Sequence, residues 1–460
     1  MTAPPEPSAA PPRIAPSSLV HHVSRTLRLA VPVMLARAGL IIMVSVDSIM
    51  TGRAGANELA YYAISLAPHV TLLVTAIGLL IGTMILTAQA HGAGRPEDAG
   101  AIWATSLWIA AVLGAIWMLI LMSGEDLLLL LGQEPALAAG GGRTLIMFAL
   151  GMPAVLMYAA TAFFLEGLSR PNAGMIVALV ANLLNAALNW VLIYGHLGMP
   201  EMGAAGAALA TAVTRWVMMI VLIGYVLRMP DGAAYGLRAG LRGSGATART
   251  MLRIGLPLSL ATGLETACFA TVTTFAGRLG EVPLAGFQVA FNVVTFVFML
   301  AIGLSAATSV RVANAVGRRD GAGMAMAGWV GLGLVSLLMV AIGLLIFAFD
   351  DGIAGLYSTE TAVLAIAVPA LSVVALVVVI DGAQAVAIGA LRGTGDVQVP
   401  TMIYAFSFWV VGVPAAYLLG LAGPGGVDGL FWGLFVGLTC TLVLLCWRFA
   451  VVARRGPQLH

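Results

Sequence analysis

Long apolar segments separated by short polar turns run through almost all of this chain, and they limit what it can fold into. A helix needs roughly 20 apolar residues to cross a membrane, and each of these segments is long enough. Every segment is predicted to be helical, because lipid offers no water to satisfy the backbone N–H and C=O groups of other structures. The twelve segments cover approximately residues 27–52, 60–90, 101–123, 143–168, 173–195, 203–228, 251–277, 284–314, 322–349, 361–391, 398–420 and 429–452. The predicted fold class is therefore all-α integral membrane, with twelve transmembrane helices.

The composition agrees with a membrane protein and argues against several other classes. Hydrophobic residues make up 60% of the chain and charged residues only 9%, whereas a soluble domain is roughly 45–50% apolar. The net charge is only +2 and there is no basic run, so we predict no nucleic-acid partner. The three cysteines lie far apart in apolar segments without CxxC spacing, which indicates neither a disulfide framework nor a zinc site. The lipid bilayer is the expected environment.

The arginines predict how the helices are oriented, because cytoplasmic loops are enriched in basic residues. If the chain starts in the cytoplasm, seventeen arginines lie on that side and only Arg53, Arg143 and Arg278 on the other. We therefore predict a multi-pass protein of the cell inner (plasma) membrane with both termini in the cytoplasm. The expected divisions are a disordered cytoplasmic tail (1–25), an N-lobe of helices 1–6 (26–228), a cytoplasmic linker (229–250), a C-lobe of helices 7–12 (251–452) and a cytoplasmic tail (453–460).

The two halves of the chain repeat one another. A shift of 225 residues aligns Pro32 with Pro257, and the positions from Pro32 to Gly92 then contain 16 identities in 61. Six helices separate equivalent residues, so both halves have the same orientation in the membrane. We predict two six-helix lobes related by a pseudo-two-fold parallel repeat, with a site at or near their interface.

In the N-lobe, Asp47 interrupts an apolar helix, where a charge is costly and usually serves a function. Asn182, Asn185 and Asn189 share one face of helix 5, and Asn189 and Thr211 reach a depth similar to that of Asp47. One carboxylate, two amides and a hydroxyl could bind a hard cation or carry a proton on the acid. The alternative is that the asparagines only join helices by hydrogen bonds.

In the C-lobe, Glu265 of helix 7 and Asp381 of helix 10 both fall near the bilayer centre. Two close acids in low dielectric cannot both stay ionised cheaply, so this pair is predicted to bind a proton or exchange it for a cation. The alternative is that each acid pairs with a separate polar group and never titrates. Gln288 and Asn292 share a face of helix 8 and are candidates to line the substrate cavity.

Two arginines, Arg37 and Arg215, lie in mid-membrane positions. A structural ion pair is the expected role for each, although the sequence does not identify the acids. Glu166 precedes Arg170 by four residues near a cytoplasmic helix end, and a surface pair is expected there.

Several segments together resemble the multidrug and toxic-compound extrusion (MATE) transporters, in particular the NorM type. They are VDSIMTGR (46–53), NLLNAALNWVLIYG (182–195), GLPLSLATGLETACF (255–269), FQVAFNVVTFVFMLAIGLSAATSVRVANAVG (287–317) and DGAQAVAIGALRGTGD (381–396). The combination is specific, and the resemblance covers nearly the whole chain after residue 25. It implies two six-helix lobes around a central cavity that opens alternately to each side of the membrane.

The resemblance also implies export of cationic, amphipathic compounds in exchange for inward Na⁺ or H⁺. Where some members of the family carry a tyrosine one turn before the second C-lobe acid, this chain has Val377. The implied cation sites are Asp47, Asn185 and Asn189 in the N-lobe, or Glu265 and Asp381 in the C-lobe.

The predicted function is a secondary active multidrug efflux antiporter with Na⁺ or H⁺ as the coupling ion. It is predicted to be a monomer, to use small organic cations as substrates and to need no cofactor. One alternative is a lipid-linked oligosaccharide flippase of the same superfamily, but such a cavity needs several bases and only Arg37 and Arg215 are available. The other alternative is an integral-membrane enzyme, for which the chain lacks GxSxG, HExxH and paired metal ligands.

Overall fold

The computed structural model describes residues 19–237 and 243–457, and all regular structure within these ranges is helical. Eleven single helices there are long and apolar enough to cross a membrane, and a bent pair makes a twelfth if it is counted as one span. Short helices at Gly124–Leu130, His196–Gly198 and Asp350–Tyr357 lie in connections. The membrane helices are α1 (Leu19–Ala54), α2 (Ala56–Gly92), α3 (Pro96–Met122), α4 (the pair Pro135–Leu150 and Met152–Gly167), α5 (Asn172–Tyr194), α6 (Gly203–Leu227), α7 (Gly245–Arg278), α8 (Glu281–Gly317), α9 (Gly321–Ala348), α10 (Thr361–Thr394), α11 (Gln398–Leu421) and α12 (Gly426–Arg455).

Helix α4 differs most from its prediction as one span over 143–168. It begins at Pro135 and is bent by 42° between its two halves, at Gly151. Pro153 lies in the first turn after the bend. A proline has no N–H and clashes with the preceding turn, which accounts for the break in the helix.

Several helices extend past their predicted ends. α1 already begins at Leu19, so residues 19–25, which were expected in the disordered tail, are helical. α7 begins at Gly245 inside the expected linker, and α12 continues to Arg455 inside the expected tail. An apolar window marks only the lipid-spanning part of a helix, whereas backbone hydrogen bonds continue into the polar interface. The predictions for residues 1–18, 238–242 and 458–460 fall outside the described residues.

The contacts between the two halves obey the 225-residue repeat. A Cβ at Gly92 of α2 would overlap the backbone of Asn314 in α8, and a Cβ at Gly317 of α8 would overlap the backbone of Gln89 in α2. Gly317 and Asn314 are the equivalents of Gly92 and Gln89 under the repeat. Each glycine therefore lets its helix approach the same position of the other half, as small residues do between membrane helices.

A second pair of contacts follows the same rule. Gly78 of α2 packs against the backbone of Ser259 in α7, and its equivalent Gly303 of α8 packs against Met34 of α1, the equivalent of Ser259. Ser259 also donates its hydroxyl to the carbonyl oxygen of Thr75 at 2.8 Å. The pseudo-two-fold axis predicted from the sequence therefore runs between these helices.

Candidate functional site

Asp47 of α1 lies at the centre of a buried cluster of hydrogen bonds in the first half of the chain. Asn189 Nδ2 donates to Asp47 Oδ1 at 2.6 Å. The hydroxyls of Thr211 and Tyr62 donate to Asp47 Oδ2 at 2.7 and 3.3 Å. Asn185 donates to Thr211 Oγ1 at 3.1 Å and accepts from Asn189 Nδ2 at 3.2 Å. The structure thus brings together all four residues that the sequence proposed for this lobe, although their role in coupling stays a prediction.

Helical spacing explains which asparagines take part. Asn185 and Asn189 are one turn apart on α5 and both are 0% exposed. Asn182 lies almost one further turn away and donates to the carbonyl oxygen of Ala178 in its own helix at 2.9 Å. The Asn182 side chain therefore hydrogen-bonds to the backbone of its own helix and is not a member of the cluster.

Tyr62 of α2 is a member of the cluster that the sequence reasoning missed. A single residue, Gly55, separates α1 from α2, so the two helices form a tight hairpin. Asp47 lies eight residues before Gly55 and Tyr62 seven residues after it, which puts both at the same depth. This hairpin symmetry is the signal that could have identified Tyr62.

A cavity of about 140 Å³ adjoins the cluster and extends along α1, α2, α4, α5 and α6. Its polar lining forms three layers along the helices. Asp47, Tyr62 and Thr211 form the first layer, and His69 and Arg215 form the second because they lie two turns and one turn further along α2 and α6. Arg37 and Glu166, which pair with one another, form the third layer.

The two mid-membrane arginines have different partners. Arg37 Nη2 lies 3.6 Å from Glu166 Oε1, and the Arg37 guanidinium also lies over the ring of Phe163. The expected ion pair is therefore confirmed for Arg37. Arg215 Nη1 instead contacts His69 Nε2 at 2.9 Å. The prediction that Arg215 forms an ion pair with an acid is therefore wrong.

The surface pair expected between Glu166 and Arg170 is also wrong. Helix α4 ends at Gly167, so Arg170 lies beyond the helix and the i, i+4 geometry is lost. Arg170 instead contacts Asp231 in the segment after α6, with 2.7 Å between Nη2 and Oδ2. The hydrogen bond from Arg170 holds the pKa of the Asp231 carboxyl below its ordinary value.

In the second half of the chain, Glu265 and Asp381 are joined through one amide. Gln384 Nε2 donates to Glu265 Oε1 at 3.3 Å and to Asp381 Oδ1 at 3.1 Å. The hydroxyl of Tyr404 donates to Gln384 Oε1 at 2.5 Å. The two acids therefore share a polar partner. The alternative, in which each acid pairs with a separate polar group, is wrong in this respect.

Gln384 and Tyr404 were missed by the sequence reasoning for different reasons. Gln384 lies one turn after Asp381 on α10, and helical spacing could have found it. Tyr404 lies on α11, and no sequence pattern connects it to the acids. Val377, one turn before Asp381, is buried and apolar, so the phenol beside these acids comes from a different helix.

Gln288 and Asn292 belong to neither cluster. Both side chains are exposed on α8. Their role in lining a substrate cavity stays a prediction.

Known proteins match this chain over most of its length. The MatE family model matches residues 32–191 and again residues 257–418, and the two matches begin 225 residues apart. The chain is similar to a probable multidrug resistance protein NorM of Caulobacter vibrioides, with 34% identity over 433 residues, 94% of this chain and 92% of the relative. It is also similar to the multidrug resistance protein PmpM of Pseudomonas aeruginosa, with 34% identity over 450 residues, 94% of this chain and 92% of the relative.

The fold is found among solved structures as well. The crystal structure of the eukaryotic MATE transporter AtDTX14 matches with a TM-score of 0.86 at 20% sequence identity, covering 95% of this chain and 98% of that one. That likeness concerns the fold, whereas the sequence matches concern the family. The chain therefore belongs to the MatE family of multi-span membrane transporters.

Proposed function

We propose that this chain is a secondary active multidrug efflux antiporter, which exports cationic amphipathic compounds in exchange for H⁺ or Na⁺ by alternating access. The observation that supports this most is the environment of Asp47. Its carboxylate is 0% exposed, accepts hydrogen bonds only from neutral groups and adjoins a cavity with apolar walls. An acid kept in such a place is suited to bind either a small ion or an organic cation, one at a time.

We further propose H⁺ as the coupling ion. Both oxygens of Asp47 already accept hydrogen bonds, and Asn189 turns its amide nitrogen, not its oxygen, towards the acid. In the C-lobe, Gln384 likewise presents its N–H groups to Glu265 and Asp381. A proton needs one lone pair, whereas a metal cation needs several oxygen ligands at once. Amide N–H groups cannot serve as such ligands, because they are hydrogen-bond donors.

Na⁺ is the second candidate because of one specific acceptor. Asn189 Oδ1 is buried and has no hydrogen-bond partner. Rotation of this amide would turn an oxygen towards Asp47 and add a ligand to those of Asn185 and Thr211. Within the described residues no group of three or more His, Cys, Asp or Glu could hold a metal ion, so any Na⁺ site would depend on such neutral oxygens.

The transport cycle follows from competition for the acids. With both termini in the cytoplasm, the contact of Gln89 Nε2 with the Gly393 carbonyl oxygen at 3.2 Å lies at the cytoplasmic ends of α2 and α10. This state is then closed towards the cytoplasm and can receive the coupling ion from outside. The ion neutralises Asp47 and releases the organic cation, and its different affinity for the two states drives the change between them.

Helices α1–α6 form the N-lobe and α7–α12 the C-lobe, the two are joined by a cytoplasmic linker, and the protein lies in the cell inner membrane as a monomer. The repeated family match and the reciprocal glycine contacts support the two lobes.

The test is efflux of ethidium from proteoliposomes with a pH gradient and a Na⁺ gradient imposed separately. Efflux driven by the pH gradient in the parent, and lost in Asp47→Asn, is the expected result. Efflux driven by the Na⁺ gradient alone would mean that Na⁺, not H⁺, is the coupling ion. A panel of cationic dyes moved by neither gradient would overturn the antiporter proposal.

Asn182→Ala is a matched control for Asn185→Ala. Both asparagines lie on α5, but only Asn185 reaches the Asp47 cluster, whereas Asn182 bonds to its own helix. The proposal expects a loss of gradient-driven efflux for Asn185→Ala and little change for Asn182→Ala.

A further inference from the structure

Arg215 is a partly buried base without an acid beside it. Among the described residues, no carboxylate oxygen lies within 4.0 Å of its guanidinium, whereas Arg37 in the same cavity is paired with Glu166. Asp47 already accepts hydrogen bonds from Asn189, Thr211 and Tyr62 instead. An unpaired charge in the membrane interior is costly and marks a functional role.

The hydrogen bond between Arg215 and His69, the only one of the Arg215 side chain in the described structure, shows which ring nitrogen of His69 carries the proton. A guanidinium has only donors, so His69 Nε2 must be the acceptor in their 2.9 Å contact. The proton of the neutral imidazole is then on Nδ1. That nitrogen is buried and has no hydrogen-bond partner, although His69 is only 1% exposed.

The orientation of His69 is fixed by packing. Its ring stacks on Phe148 with 4.5 Å between centroids and 18° between planes, and the same Phe148 contacts Tyr62 at 5.7 Å. Arg215 and His69 both line the cavity. Among the described residues, Arg215 thus has only the neutral imidazole of His69 as an acceptor, and His69 Nδ1–H has no acceptor. Both side chains belong to one wall of the site.

We propose that Arg215 and His69 form a subsite for the carboxylate of a zwitterionic amphiphile whose cationic end lies at Asp47. The inference rests on the proposed drug export and names a substrate class for it. Arg215 is one turn from Thr211 on α6, and His69 is two turns from Tyr62 on α2. The acid and the base are thus separated by roughly 6–10 Å along the cavity, which sets the spacing of the two ligand charges.

The charges of the cavity favour a zwitterion over a simple cation. Arg37 and Glu166 cancel one another, and Arg215 balances an ionised Asp47. A simple cation at Asp47 leaves Arg215 without a counterion, whereas a zwitterion supplies one. When the coupling ion neutralises Asp47, the cationic end loses its partner and is repelled by Arg215, which promotes release.

The test compares a fluorescent xanthylium dye bearing a free carboxylate with the methyl ester of the same dye. Binding to the purified full-length protein is measured by fluorescence anisotropy, and export by the proteoliposome assay. The parent is expected to bind the free acid at least about tenfold more tightly than the ester, since a hydrogen bond to a charged group supports a ratio of this order. Equal binding of acid and ester by the parent overturns the subsite.

Variants assign the preference to its residues. Arg215→Met is expected to lower binding of the acid about tenfold and to leave the ester unchanged or tighter, since only the acid uses the guanidinium. Arg215→Lys should keep part of the preference, and Arg143→Gln, at an exposed position in the first half of α4, should keep all of it. A parallel loss of acid and ester in Arg215→Met and Arg215→Lys would indicate a structural role and overturn the subsite.

The outcomes separate this inference from the proposed function. If the ester is exported but the acid has no advantage, drug export stands and the subsite fails. If neither compound is exported, the proposed function fails, while the ratio of acid to ester binding still decides the subsite. Should Arg215→Met not fold, the parent ratio and His69→Phe, which removes the Nδ1 donor but keeps the ring, decide it.

Discussion

The hydroxyl of Tyr404 lies 2.5 Å from Gln384 Oε1 and holds that amide with its nitrogen towards two acids. A phenol can donate or accept, so Tyr404 is able to stabilise either orientation of the Gln384 amide. Ionised carboxylates can only accept, so their ionised form would favour the orientation seen here, in which Nε2 donates to both. Protonation of an acid would favour the opposite orientation, with Oε1 accepting from the new O–H. For the proposed H⁺ coupling, we therefore assign Tyr404 as a positioning residue that acts on Glu265 and Asp381 through Gln384.

Tyr404→Phe is expected to lower gradient-driven efflux several-fold with only a small loss of stability, because one neutral hydrogen bond contributes about 1 kcal/mol. Efflux is measured over a range of internal pH, where a positioning role shifts the profile and a merely structural role lowers it uniformly. Tyr417→Phe is the matched control, since Tyr417 also lies on α11 and packs against the Phe275 ring, but its hydroxyl makes no hydrogen bond to the described residues. An unchanged pH profile in Tyr404→Phe would contradict the positioning role.

The sequence predicted the part of the site that depends on helical spacing. Asn185 and Asn189 are one turn apart, and their depth could be counted from the ends of helices, so their meeting with Asp47 was predictable. Tyr404 and the Arg215 contact with His69 depend on how separate helices rotate and pack, which apolar patterns do not specify. The repeat predicted two six-helix lobes of the same orientation, whereas the bend at Gly151 arises from a local proline effect that a hydropathy window averages out.

Asp47→Asn is expected to reduce driven efflux at least tenfold without lowering the Tm. The substitution keeps the shape of the side chain, and replacing a buried charge by a neutral group removes a desolvation cost. Thr211 and Tyr62 can still donate to the amide oxygen. Tm is measured in detergent by a thermal-shift assay alongside efflux, and a large fall in Tm would mean that the carboxylate is mainly structural.

Gly317→Ala is expected to favour the state that is open towards the cytoplasm. A Cβ at Gly317 would overlap the backbone of Gln89, so closure of the two halves at this contact becomes costly. Maleimide labelling of Ser259→Cys, in a chain whose native cysteines are replaced by Ala, reports the opening. Labelling should rise roughly tenfold for each 1.4 kcal/mol of added cost. Gly333→Ala is the control because no atom lies near its Cβ position, and equal labelling in both variants would refute the closure argument.

Asp231→Asn tests the pairing of the segment after α6 with Arg170, outside the membrane. The pKa of Asp231 is held below its ordinary value by the hydrogen bond from Arg170, so the unfolded chain takes up the proton first as the pH falls. The stabilisation is therefore fully present above the ordinary Asp pKa of about 3.9 and is lost below it. The parent should exceed Asp231→Asn in Tm by less than about 2 °C at pH 7, because the pair is partly exposed. This difference should shrink as the pH is lowered towards 3, while Asp126→Asn, an exposed control in a connection, gives none at either pH. A Tm difference that grows as the pH falls would contradict a stabilising pair between Asp231 and Arg170.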